Sequence, residues 1–166
     1  MKIDWQKLFS MQYELDKRIM DEHQLTGTYF SERLLALQVE VGELANETRC
    51  FKYWSLKPPA ERVVILEEYV DGIHFILSIG LSLHFENVIP NQCVIKNQDE
   101  EKLVGQFLNV NSCISKLREE KSSKAYEQLF AEYLRLGKLL GFNEADIQTA
   151  YFEKNKVNHM RQDEGY

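Results

Sequence analysis

The sequence predicts an all-α, single-domain bundle of about six helices, and three observations support this fold class. Apolar residues recur at helical spacing in six stretches of the chain. The 166 residues include only three prolines, and all of them fall between these stretches. The sequence has no internal repeat, low-complexity tract or long linker, so one domain over residues 1–166 is expected.

The first three helices follow from their apolar stripes and start signals. The first is predicted over about 3–22, before a loop that contains a Thr-Gly-Thr sequence. The second is predicted over about 32–50, with Ser31 as its N-cap. The third, over about 60–85, begins after Pro59. Because it is apolar on more than one face, it is expected at the centre of the bundle.

The last three helices have clearer end signals. The fourth is predicted over about 99–120, and its first residue is an aspartate suited to capping. The fifth, over about 123–140, ends at Gly141, a typical C-terminal stop. Asn143 then caps a last helix over about 144–160.

Composition excludes several classes of protein. The 26 acidic residues outnumber the 20 Lys and Arg residues, giving a net charge of −6, so a nucleic acid partner is not expected. The cysteines Cys50, Cys93 and Cys113 have no CxxC spacing, which favours a reducing compartment. The N-terminus lacks the apolar core of a signal peptide, and the apolar stretch 70–85 is interrupted by an aspartate and two histidines. We therefore expect a cytoplasmic protein without a membrane span.

Two pairs of acids form the most informative pattern. Glu40 and Glu43 lie three residues apart on the second helix, and Glu68 and Asp71 lie three apart on the third. Helical residues at this spacing share a face, so four carboxylates converge if the two helices face each other. Clustered carboxylates repel one another, and a hard divalent cation removes that cost. The pattern predicts a Mg²⁺ site.

A set of polar residues on the last helix could lie opposite these acids. Lys154, Asn158 and Arg161 recur at i, i+4 and i+7 and therefore share one face. Cations also favour helix C-termini for electrostatic reasons alone. His74 follows Asp71 by one turn and is expected on the same face of the third helix.

The two acid pairs occur within motifs that resemble the dimeric dUTPase family of the all-α (MazG-like) nucleoside triphosphate pyrophosphatases. These motifs are residues 43–47, 51–54, 67–75 and 154–162. The resemblance implies hydrolysis of dUTP to dUMP and pyrophosphate, with two or three Mg²⁺ ions and Mn²⁺ as a substitute. It also implies a homodimer, with dUDP as a second candidate substrate. Apolar residues on more than one face of the third and fourth helices fit such association.

The resemblance also implies roles at the phosphate end of the site. Lys154, Asn158 and Arg161 would contact the phosphates, with Lys52 as a further candidate. One glutamate of the first pair would orient or deprotonate the water that attacks the α-phosphorus. Glu40 is favoured over Glu43 for this role, and the choice stays open.

At the nucleoside end, four further contacts are expected, and the resemblance implies those of Gln12 and Phe75. His74 would contact the nucleoside, and Phe75 would pack where a ribose 2′-hydroxyl would lie. Gln12 would read the uracil edge, since an amide offers both a donor and an acceptor. Trp54 could stack on the base. Leu15 stands where the family often has an asparagine, which leaves room for another base.

Three alternatives remain open from the sequence. A related helical pyrophosphatase could act on another nucleotide, such as dCTP or one with a modified base. A di-iron carboxylate protein is a second alternative, because Asp71-x-x-His74 resembles half of the required signature. The third is a non-catalytic helical interaction module whose acids only decorate its surface.

Overall fold

Six α-helices occupy the described part of the chain, which is residues 2–90 and 103–165 of a computed structural model. They are α1 (Trp5–Glu22), α2 (Phe30–Thr48), α3 (Arg62–Ser82), α4 (Leu103–Glu120), α5 (Ser123–Leu139) and α6 (Glu144–Asp163). The predicted all-α, single-domain bundle is confirmed, and most of its helix ends lie within three residues of the prediction. The expected cap at Asp99 and the cysteine at position 93 lie outside the described residues. No helix among these residues has the combination of length and apolarity needed to cross a membrane.

The helix ends confirm the local capping predictions, with one exception. Asn143 and Asp146 form a capping box at the start of α6. Gly141 follows α5 with a φ of +81°, a conformation that glycine adopts without strain. The prediction that Ser31 caps α2 is wrong. The helix begins at Phe30, whose buried ring packs in the core, so Tyr29 occupies the cap position and Ser31 lies inside the first turn.

Helix α3 is central, as its apolar faces predict. It contacts α1, α2, α5 and α6, and most of its residues between Tyr69 and Gly80 are buried. Between Tyr69 and Gly80 the extra apolar surface of α3 is therefore covered within the chain itself, whereas Val63 near the start of the helix is exposed. Helix α4 packs on α5 and α2. This arrangement places the polar residues of α3 between α2 on one side and α1 and α6 on the other.

A reciprocal pair of tyrosines fixes α3 against α5. The rings of Tyr69 and Tyr133 stack with their centroids 4.8 Å apart. The Tyr133 hydroxyl donates to the Tyr69 carbonyl oxygen at 2.8 Å, and the Tyr69 hydroxyl donates to the Tyr133 carbonyl oxygen at 3.2 Å. Each tyrosine also lies against a glycine of the opposite helix, Gly72 or Gly137. Close packing at Gly72 fixes the position of the neighbouring Asp71.

Candidate active site

Three of the four predicted acids meet where α2 faces α3. Glu40, Glu68 and Asp71 each offer a carboxylate oxygen, and these oxygens lie within 4.8 Å of one another. Glu43 is more exposed and lines an adjoining groove with Glu68. Oxygen donors at this spacing match the preference of Mg²⁺ and similar hard cations. We call Glu40, Glu43, Glu68 and Asp71 the acid cluster.

Burial and mutual repulsion make the acid cluster costly when it is fully ionised. Burial raises the pKa of Glu40 to about 7, and the charges of Asp71, Glu43 and Glu68 add to the effect. Burial is also the main cause that raises the pKa of Glu68 and of Asp71. A bound cation would relieve this repulsion, so the donor set fits a divalent metal ion in charge as well as in chemistry.

Lys154 of α6 supplies positive charge to the acid cluster. Its Nζ lies 2.8 Å from Asp71 Oδ2 and 3.1 Å from Glu67 Oε1, and its side chain is only 11% exposed. Burial alone would lower the pKa of Lys154, but Asp71 and Glu67 outweigh it and raise the pKa. The charge of Arg161 also favours the ionised form of Asp71. The last helix therefore faces the acids, as the spacing of its polar residues predicts.

A cleft of about 300 Å³ adjoins the acid cluster and is lined by residues from α1, α2, α3 and α6. Most of the residues that the sequence singles out contribute to its wall. They are Gln12, Glu40, Asp71, His74, Phe75, Lys154, Asn158 and Arg161. The structure thus brings together residues that lie more than a hundred positions apart in the chain.

Lys52 and Trp54 lie outside this wall. Both belong to the segment between α2 and α3. Lys52 Nζ is 2.5 Å from Asn46 Oδ1, and Asn46 lines the adjoining groove that also contains Glu43. Trp54 is 65% exposed and packs edge-on against the ring of Tyr53. Their nucleotide-binding roles stay predictions.

The cleft contains a polar network that sequence reasoning did not identify in full. The Gln12 amide nitrogen donates to Asp16 Oδ1 at 2.8 Å, and its oxygen accepts from the Tyr151 hydroxyl at 2.9 Å. The same oxygen lies 2.7 Å from His74 Nδ1, and the Ser78 hydroxyl donates to Asp16 Oδ2 at 2.5 Å. Asp16 follows Gln12 by one turn, and Ser78 follows His74 by one turn. That spacing was the available signal for both residues.

His74 is a neutral side chain within this network. Burial lowers its pKa to about 3, and the charge of Lys154 contributes to the shift. Its ring stacks on Tyr151 with centroids 4.2 Å apart, and its Nε2 atom is buried without a hydrogen-bond partner among the described residues. The metal-ligand group found among those residues contains no histidine. This geometry gives no support to the di-iron alternative.

A sequence model of the dUTPase family matches residues 4–166, a span that includes all six helices and the acid cluster. No curated protein sequence gives a significant match. The family match covers nearly the whole chain and agrees with the helical bundle and its convergent carboxylates. The chain therefore belongs to the dUTPase family, whose enzymes hydrolyse dUTP.

Proposed function

We propose that this enzyme hydrolyses dUTP to dUMP and pyrophosphate with Mg²⁺ held by the acid cluster. The convergence of Glu40, Glu68 and Asp71 beside a cleft with cationic residues carries this proposal. When bound, the metal would neutralise phosphate charge and lower the pKa of a coordinated water. Without that neutralisation, a triphosphate with about four negative charges would be repelled by the carboxylates.

Glu40 is the better candidate to orient the attacking water. It lines the cleft, whereas Glu43 lines the adjoining groove. Water held by Glu40 would accordingly lie on the substrate side of the acid cluster. The water would attack the α-phosphorus, and pyrophosphate would leave from the opposite side in an in-line displacement. Glu43 would support the site through charge and hydrogen bonding.

The polar face of α6 is proposed to bind the phosphates. Lys154, Asn158 and Arg161 all line the cleft, and Lys154 is already held beside Asp71. Cationic donors and an amide at this position would compensate phosphate charge that the acid cluster and its metal do not contact. Lys52 is proposed as a further phosphate contact from the segment that follows α2.

The remaining cleft residues are proposed to select the nucleoside. Gln12 would read the uracil edge and His74 would bind the nucleoside. Phe75 would occupy the space of a ribose 2′-hydroxyl, so that a ribonucleotide would clash or bury an unpaired hydroxyl. Trp54, which is exposed, would have to fold over the base on binding.

Pyrophosphate release from each deoxynucleoside triphosphate, with and without Mg²⁺, tests this function. We expect the highest kcat/KM for dUTP, a smaller rate for dUDP measured as phosphate release, and no activity in EDTA. Equal rates on all deoxynucleotides would exclude uracil specificity, and a preference for dCTP would favour the related pyrophosphatase. UTP serves as the probe of sugar selection.

A double variant of the acid cluster, compared with a control double variant, tests its role. Glu68→Gln combined with Asp71→Asn should lower kcat/KM by at least about 100-fold, because two metal ligands lose their charge. The matched control is Glu127→Gln combined with Asp21→Asn, two exposed acids outside the cleft. Unchanged hydrolysis in the first double variant would contradict the role of the acid cluster, whereas the non-catalytic helical module predicts no hydrolysis by the wild-type chain.

We also propose that the enzyme is a cytoplasmic homodimer that limits uracil in DNA and supplies dUMP. Apolar side chains at the surface support the dimer: Leu35 and Val39 on α2, Val63 on α3, and Tyr53 and Leu56 between them are all exposed. Exposed apolar side chains indicate an association surface when they form one contiguous patch, which we propose for these five residues. Sedimentation at micromolar concentration should give a dimer, and a monomer alone would contradict the proposal.

A further inference from the structure

We propose that Asp16 is a positioning residue of the cleft. It holds the amide of Gln12 in one orientation and thereby fixes the ring proton of His74 on Nδ1. His74 lines the cleft, and its Nε2 atom, which is buried in the unbound chain, would accept rather than donate a hydrogen bond once nucleoside binding exposes it. This inference rests on the proposed function only in assigning a nucleoside to the cleft.

Asp16 is well placed to impose an orientation because it is itself held firmly. Its side chain is only 16% exposed. It accepts a hydrogen bond from the Ser78 hydroxyl at 2.5 Å, and the Arg33 guanidinium lies 3.8 Å from the same oxygen, Oδ2. The Ser78 hydrogen bond and the Arg33 ion pair both involve Oδ2, so the other oxygen, Oδ1, is left to accept from Gln12.

The carboxylate decides which way the Gln12 amide points. An ionised carboxylate only accepts hydrogen bonds, so Gln12 must turn its NH₂ group towards Asp16, where the distance is 2.8 Å. The flipped amide would bring two acceptor oxygens to this distance at a nearly buried site, which costs free energy. The amide oxygen of Gln12 is consequently directed at Tyr151 and His74.

The amide oxygen then decides which ring nitrogen of His74 carries the proton. An oxygen acceptor 2.7 Å from Nδ1 requires an N–H at that position. Since a neutral imidazole has one N–H, Nε2 carries a lone pair. Stacking on Tyr151 holds the ring plane, and Nε2 has no acceptor or donor partner among the described residues. A hydroxyl or N–H of the bound nucleoside is the complementary group.

The hydrogen bonds from Asp16 through Gln12 to His74 form the Asp16–Gln12–His74 relay. The variant Asp16→Asn tests this relay because asparagine can turn either an oxygen or an NH₂ group towards Gln12. Either amide orientation of Gln12 then becomes accessible, and His74 can hold its proton on Nε2. We expect KM for dUTP to rise about tenfold, the effect of losing one well-placed hydrogen bond. The acid cluster is untouched, so kcat should change much less than KM.

Two-bond ¹H–¹⁵N correlation spectra of the full-length, ¹⁵N-labelled protein report the tautomer of His74 directly. The wild-type protein should show the proton on Nδ1, and Asp16→Asn should show a mixture or the proton on Nε2. Asp21→Asn, an exposed aspartate on the same helix, is the matched control and should leave the His74 signals unchanged.

A wild-type protein with the His74 proton on Nε2 would overturn the inference, as would an Asp16→Asn variant with unchanged tautomer and unchanged KM. If circular dichroism shows that the Asp16→Asn variant is unfolded, the tautomer of His74 in the wild-type protein is the remaining test of the inference. The tautomer spectrum needs no substrate, whereas failure of the proposed function would appear as absent pyrophosphate release from the wild-type enzyme. The two failures are therefore distinguishable.

Discussion

The carboxyl group of Glu40 holds its proton more tightly in the folded chain than in the unfolded one. Burial and the neighbouring acids raise its pKa to about 7 from the ordinary value of 4.5. Between these values the folded chain retains a proton that the unfolded chain has lost. In the absence of divalent cations, stability should therefore fall as the pH rises from about 4.5 to about 7. Thermal melts in EDTA across this range should show this fall reduced in Glu40→Gln.

An exposed acid outside the acid cluster gives the control for this pH dependence. Glu127→Gln removes an exposed acid on α5 and should leave the wild-type pH profile unchanged. Parallel profiles for the wild type and Glu40→Gln would contradict the prediction, because Glu68 and Asp71 would then account for the whole effect.

Cations and protons should compete for the acid cluster. Mg²⁺ is expected to raise Tm more at pH 8 than at pH 5, since a metal ligand must first lose its proton. Glu68→Gln should remove most of the gain at pH 8. Differential scanning fluorimetry with and without Mg²⁺ measures this, and Ca²⁺ and Mn²⁺ series would show which ion stabilises most. An equal Mg²⁺ shift at both pH values would mean that the ion binds elsewhere.

Helix α6 depends on its N-terminus to present the residues that we propose bind the phosphates. The Asn143–Asp146 capping box is reinforced by an ion pair of 2.7 Å between Asp146 and Arg62 of α3. Asn143→Ala should lower the free energy of unfolding by about 1 kcal/mol, or Tm by about 2–4 °C. Urea denaturation measures the change.

Ser122→Ala is the matched control for this cap. Ser122 caps α5, which contributes no residue to the cleft wall, so the variant should lose a similar amount of stability. Of the two variants, only Asn143→Ala should also raise KM for dUTP. A rise of equal size in Ser122→Ala would show that KM follows global stability and not the start of α6.

Helix ends were predictable where the signal is local. Asn143 and Gly141 act through atoms within a few residues, so their roles can be inferred from the sequence alone. The prediction of a cap at Ser31 rested on the same kind of local signal. It was wrong because burial of Phe30 moved the start of the helix. Tertiary packing therefore overrides a cap when a large apolar residue competes for the same turn.

The shared face of each acid pair was predictable for a related reason, although its convergence with the other pair depends on the packing of α2 against α3. The three-residue spacing in each pair depends only on helix geometry, which holds throughout α2 and α3. The Asp16–Gln12–His74 relay depends on how α1 packs against α3, and no spacing within one helix encodes that contact. Gln12 and His74 were identified singly, while their hydrogen-bond polarity required the three-dimensional arrangement.

Packing of α3 against α5 leaves no room for a side chain at Gly72. An added Cβ would lie 2.0 Å from the Tyr133 hydroxyl oxygen and 2.5 Å from Cζ. Gly72→Ala should destabilise the fold by about 1–3 kcal/mol and displace Asp71, lowering Mg²⁺ affinity as well. Chemical denaturation and calorimetric Mg²⁺ titration measure the two effects.

Gly105→Ala is the control for this substitution. Gly105 lies on α4, and an added Cβ there would meet nothing within 4 Å. Alanine favours helix formation over glycine by up to about 1 kcal/mol, so this variant should be neutral or more stable. A Gly72→Ala variant as stable as wild type would show that the tyrosine moves aside without cost.

The stacked tyrosines also constrain how the sequence can diverge. A larger residue at position 72 is tolerable only with a smaller one at position 133, and positions 137 and 69 are linked in the same way. Related sequences should therefore show these positions changing in pairs, although they are about sixty residues apart. A library that randomises positions 72 and 133 together should yield folded variants that separate libraries at each position do not contain.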